Sequence, residues 1–131
     1  MRQGEQLALT WERIDMAKRV AWLPQTKNGM ARAVPLSSTA KAILESLPRS
    51  IDGRVFPVEK QTLSTVFRTA CKRAKINNFR WHDLRHEALS RLAERGDLSV
   101  LELSGISGHK TLRLLQLYVQ LHASELAAKL G

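Results

Sequence analysis

The 131-residue chain has one cysteine, one tyrosine and few acidic side chains. A lone Cys71 excludes an internal disulfide and any metal cluster built on several thiolates. Lying in an apolar stripe of helical period, it is expected to pack in the core. Long hydrophobic runs are missing too. None approaches the roughly 18 residues of a membrane span, and no signal-peptide pattern opens the chain, so no membrane partner and a cytoplasmic location are expected. Repeats and low-complexity tracts are absent. Length and composition then describe one globular domain with an ordinary core.

What is present in excess is positive charge. Lysine and arginine number 21 against 12 acidic residues, a formal net charge of +9. That excess suits a polyanion, most economically the backbone of double-stranded DNA. Charge alone does not separate this from a merely basic, solvated surface, so the motifs have to decide.

Periodicity gives a mainly helical chain with a small antiparallel β-hairpin at one edge. Gly4 to Ile14 places Leu7, Trp11 and Ile14 at helical spacing and predicts a short helix. Arg19 to Leu23 and Met30 to Leu36 read as strands joined by a turn at Lys27-Asn28-Gly29. Ser37 to Leu47 predicts a helix capped by Ser37 or Ser38, with Ala40, Ile43, Leu44 and Leu47 inward. Asp52 to Pro57 reads as a turn and a short extended piece. Thr62 to Ala74 carries Leu63, Val66, Phe67, Ala70, Cys71 and Ala74 at helical period, with Asn77-Asn78 turning the chain afterwards.

The next helix has three distinct sides. His82, Arg85 and His86 share one, Leu84, Ala88 and Leu92 an inward one, and Asp83, Glu87 and Arg91 a solvated one. Gly96-Asp97 should end it. Ser99 and Glu102 have capping-box spacing for a helix that buries Val100, Leu101 and Leu103, and Gly105 and Gly108 should break that helix. Thr111 is a candidate cap for the segment that leads to Tyr118. Ala123, Leu126, Ala127 and Leu130 then form an apolar stripe on a terminal helix.

Two stretches suggest phosphate chemistry: His82-Asp-Leu-Arg85-His86, and Gly108-His109 followed nine residues later by Tyr118. A phosphodiester attacked without a metal needs cationic donors for the charge that grows on its non-bridging oxygens. Arginine's fork matches two such oxygens and stays charged, histidine moves protons near neutrality, and lysine can give up a proton. A phenol, with a free pKa of about 10, needs a base and a cationic field to attack. Taken singly, each motif has an ordinary reading. Arg2 can be a frayed terminal residue, Lys27 and Arg32 solvated cations, His82 and His86 surface residues, His109 a cap and Tyr118 a half-buried aromatic.

In sequence order, however, Arg2-x-Gly4-Glu5, Thr26-Lys27, His82-x-x-Arg85-His86, Gly108-His109 and Tyr118 together resemble the catalytic domain of tyrosine recombinases, the phage-integrase type of site-specific DNA recombinase. The likeness runs nearly end to end. It implies that fold, a double-stranded DNA substrate, and no metal or nucleotide cofactor. By the same resemblance Tyr118 is the nucleophile, Arg2 and Arg85 clamp the phosphate, His109 adds a donor, His82 takes a proton, and Lys27 protonates the leaving 5′ oxygen. His86 is expected to be a buttress. The resemblance further implies that residues 1–131 are a fragment lacking a core-binding domain on the amino-terminal side, and that the terminal helix docks on a second protomer or folds back. Leu114, Leu115 and Leu117 depart from the family's more polar pattern, so more of the tyrosine-bearing helix is expected to be buried. A type IB topoisomerase-like relaxation and a non-catalytic DNA-binding remnant of an integrase are the alternatives the sequence leaves open.

Overall fold

A computed structural model of the chain describes residues 1–25, 30–108 and 111–131, with the backbone alone at position 111. The class is the expected one, mostly helical with a small antiparallel sheet. The chain divides into two compact units, residues 1–85 and 86–131.

The first unit opens with α1 (Gln3–Leu7), a 3-10 turn (Trp11–Arg13), and the strands β1 (Ile14–Asp15), β2 (Val20–Leu23) and β3 (Arg32–Pro35). These form an antiparallel sheet in the order β1-β2-β3. The expected hairpin is the β2–β3 pair, in which Ala21 faces Val34 and Leu23 faces Arg32. Its turn at Lys27-Asn28-Gly29 lies outside the described residues. Alternation sets the faces, with Ala21, Leu23 and Val34 buried and Trp22 exposed. Leu9, Leu36, Leu44 and Val55 complete this core.

The helix expected over Gly4 to Ile14 is broken after Leu7. Leu9 turns into the core at 2% exposure, and Thr10 pairs with Arg54 in an isolated bridge. Val55 N–H donates to the Leu9 carbonyl at 2.9 Å and Trp11 N–H to the Gly53 carbonyl at 3.0 Å. Extended pairing with residues 53–55 therefore takes the backbone bonds that a longer helix would have used. Ile14 goes on to begin β1, a strand the sequence did not suggest.

Helix α2 (Ser38–Ser46) starts at the predicted cap, Ser37 Oγ accepting from Ala40 N–H at 3.1 Å. Leu44 is its buried residue, whereas Ile43 points outward. Helix α3 (Lys60–Arg73) has a narrower apolar stripe than expected. Leu63, Phe67 and Cys71 are half-buried, while Val66, Ala70 and Ala74 are exposed. The Phe67 ring meets Phe79 at 6.0 Å and Trp81 edge-on at 5.2 Å. Trp81, which opens α4 (Trp81–Glu94), donates its indole N–H to Gln6 Oε1 at 3.2 Å. These contacts seat the first turn of α4 beside α1.

In the second unit the buried positions of α4 are Leu89 and Ala93. With Arg85 they form a stripe spaced four apart, whereas Leu84 and Ala88, expected inward, are exposed. Then come α5 (Val100–Ser107), α6 (Thr111–Leu121) and α7 (Ala123–Leu130). Ser99 and Glu102 form the predicted capping box, with bonds of 2.7 and 3.2 Å. Gly105 does not break α5. The helix ends at Gly108, whose left-handed φ of 69° suits glycine and whose N–H returns to the Ser104 carbonyl at 2.7 Å. Leu103 is fully buried, while Leu101 is exposed because it lies on the opposite side of the helix. Ala93, Leu103 and Leu114 make this unit's core, with Leu117, Tyr118 and Leu121 packed on it. Of the leucines expected to bury α6, Leu114 does so, Leu117 does in part, and Leu115 is exposed.

Candidate active site

The first unit gathers charge around one carboxylate. Arg2 is the N-cap residue of α1, and its backbone N–H donates to Glu5 Oε2 at 2.6 Å, with its Nη1 3.5 Å from Glu5 Oε1. Arg32, at the start of β3, donates Nη1 and Nη2 to the two Glu5 oxygens, each at 2.8 Å. The Glu5 side chain is only 6% exposed. Burial by itself would raise its pKa. The Arg32 hydrogen bonds, the Arg2 N–H and the Arg32 charge outweigh that and hold it at about 2, so Glu5 is a carboxylate at neutral pH.

Arg85 belongs to the same field. It is buried, and its pKa is lowered first by that burial and then by the charge of Arg2, with Glu5 opposing and Arg32 adding to the fall. A guanidinium starts so high that it remains a cation. Arg2 and Arg85 are 83 residues apart in sequence, yet the charge of one acts on the other here. Arg2 and Arg32 on Glu5, with the buried Arg85 within range of their charge, leave a positive excess suited to an oxyanion. His82 stands in the first turn of α4, one turn before Arg85, and is exposed. His86 is exposed as well, so the side expected to hold all three basic groups is split, with Arg85 inward. Lys27 and His109 lie outside the described residues.

Tyr118 belongs to the second unit. Half-buried on α6, it packs against the Ala93, Leu103 and Leu114 core. Its ring lies 4.5 Å from that of His122, tilted by 37°. His122 is buried, with Nε2 2.7 Å from the Ala93 carbonyl oxygen and Nδ1 3.1 Å from Glu125 Oε2. A carbonyl can only accept, so Nε2 carries a proton. A carboxylate beside Nδ1 favours a second one, the imidazolium form. The Ala93 bond is the main cause of the raised His122 pKa, Glu125 adds to it, and burial opposes. Gly96 closes around the same ring, since a Cβ placed there would lie 3.6 Å from His122 Cε1.

Three residues of these clusters were not given their part from sequence. Glu5 was noticed only as a neighbour of Arg2, although its spacing is that of a side chain returning to an N-cap. Arg32 was read as a surface or DNA-facing cation, and its partner is 27 residues away, beyond any local signal. His122 passed unnoticed, although it lies four residues after Tyr118 and three before Glu125, both helical-neighbour spacings.

The chain has relatives among known proteins. Over 130 residues the chain is 46% identical to a shufflon-specific DNA recombinase of Escherichia coli, a match covering 99% of the chain and 34% of that protein. It is 33% identical over 147 residues to the integrase of Salmonella phage P22, covering 96% of the chain and 37% of that integrase. The chain thus spans about a third of the length of these relatives. Among solved structures, XerA recombinase superposes with a TM-score of 0.75 at 20% identity, over 98% of this chain and 51% of that one. The Tn1549 transposon integrase, in complex with a circular intermediate DNA, gives 0.71 at 18% identity, over 98% and 54%. At those identities the likeness concerns the fold. Residues 1–125 match the Phage integrase family, and the chain belongs to it.

Proposed function

We propose that this chain carries the strand-cleaving and rejoining chemistry of a site-specific DNA recombinase. The observation that carries the reading is the buried Glu5 carboxylate held by Arg2 and Arg32, with the buried Arg85 within range of their charge. In the proposed reaction the Tyr118 oxygen attacks the scissile phosphorus as its proton passes to His82. A phosphotyrosyl bond forms to the 3′ end, the bond to the 5′ oxygen breaks, and Lys27 protonates that leaving oxygen. Arg2 and Arg85 stabilise the non-bridging oxygens, with His109 as a further donor. Attack by the 5′ hydroxyl of a second strand reverses the step and exchanges partners, so no outside energy source is needed.

Double-stranded DNA is the proposed partner, supported by the +9 charge, and the proposed place of work is the nucleoid. Assembly on DNA through α7 is supported by its open stripe, where Ala123, Ala127 and Leu130 are exposed. Trapping on a nicked suicide duplex is the test. The chain should become covalently attached to the 3′ end, and Tyr118→Phe should abolish attachment while binding stays measurable. Replacing either Arg2 or Arg85 should slow attachment about a hundredfold or more. Measurable DNA binding without attachment by the unaltered chain would favour a DNA-binding remnant instead.

A further inference from the structure

Arg32 is a cation that the proposed reaction does not use. It is 10% exposed at its side chain, and both of its terminal nitrogens are committed to Glu5 at 2.8 Å. A cation meant to touch DNA from the surface would keep its donors free, as Arg80 does in part at 87% exposure. A carboxylate buried like Glu5 is costly unless fully paired, and Arg32 supplies the two parallel bonds that suit both its oxygens. Glu5 in turn accepts the Arg2 backbone N–H at 2.6 Å, which fixes the residue that carries the first clamp guanidinium.

We propose that Arg32 is a positioning residue that works through Glu5. It locks the N-cap of α1, and with it Arg2, to β3, the strand that follows the segment containing Lys27 in sequence. A relative shift of α1 and β3 would otherwise move Arg2 away from Arg85. The role requires the fork as well as the charge. Lysine at position 32 would keep the cation but could not bond both Glu5 oxygens in parallel. This inference rests on the reading of Arg2 as a phosphate clamp.

The test compares the unaltered chain with Arg32→Lys, Glu5→Gln and the double variant Arg32→Gln with Glu5→Gln, in which two neutral amides can still pair. Three quantities are followed: the rate of covalent attachment to a nicked duplex, the affinity for an intact duplex as a function of salt, and the binding of orthovanadate, an oxyanion that engages the guanidiniums without cleavage. Arg32→Lys and Glu5→Gln should each slow attachment by about tenfold to a hundredfold and weaken vanadate binding by a similar factor. Duplex affinity should change far less than vanadate binding, and its salt slope should stay unchanged, because Arg32 itself touches no phosphate. Arg32→Gln is measured alone as well, and the double variant should lose less than the product of the Arg32→Gln and Glu5→Gln losses.

Unaltered attachment and vanadate binding in Arg32→Lys would overturn the proposal. So would a loss confined to duplex affinity with a salt slope reduced by about one, which marks Arg32 as a direct phosphate contact. If the unaltered chain attaches to no DNA, the recombinase reading fails instead, and the vanadate series still decides whether Arg32 orders the anion site.

Discussion

At His122 both ring nitrogens face acceptors, so the charged ring is the form the fold favours. Its pKa is raised above the ordinary 6.5. A group with a raised folded-state pKa contributes stability that is full below the unfolded value and is lost as the pH climbs through the folded one. The thermal midpoint of the unaltered chain should therefore fall relative to that of His122→Gln as pH rises from about 6.5, and parallel curves for the two proteins would refute the imidazolium. The residue scale also shows where sequence reading reached its limit. Arg2, Arg85 and Tyr118 are expected site residues because their spacings and neighbours form an ordered pattern. The pairing of Arg32 with Glu5 was not, because nothing in either residue's neighbourhood names a partner in another element. Opposite charges lie at many separations along this chain, and only the packing of α1 beside β3 brings these two together.

Among the elements, those with local chemical signals were read well. The Ser37 cap, the Ser99 and Glu102 box, and the hairpin flanking residues 24–31 all appear where their sequences put them. The capping box gives a quantitative expectation. Ser99→Ala should destabilise the folded chain by about 1 kcal/mol in chemical unfolding, and Ser99→Asp should restore most of the loss. An unchanged midpoint for the alanine variant would mean that α5 is held by packing alone. Where the reading failed, period was the cause. Leu7, Trp11 and Ile14 fit one helical stripe by number, but Leu9 is the residue that enters the core, and Thr10 pairs as a strand residue with Arg54. Eleven residues are too few for spacing alone to separate a helix from a bend between two extended pieces. In α5 the two glycines look equivalent in sequence, yet only Gly108 takes the left-handed conformation that ends a helix. Gly105 is accommodated inside it.

For the whole molecule, the excess of basic side chains is plain from composition, and it supports the proposed duplex partner. Affinity for a duplex without regard to sequence should fall steeply with salt, with a slope of log affinity against log salt steeper than about −3. A flat dependence between 50 and 200 mM, concentrations at which such contacts are ordinarily separated, would show that the positive surface does not meet phosphate. Much of that surface charge is free to rearrange, but the cluster about Glu5 is not. Because the fold supplies an internal counter-ion, Arg2, Arg32 and Arg85 can stand close together before any nucleic acid arrives. Mutual repulsion that would otherwise push the guanidiniums apart is already relieved by a carboxylate belonging to the same chain. In the proposed reaction, an entering phosphate would therefore meet donors already held in place, with little reorganisation left for the chemical step.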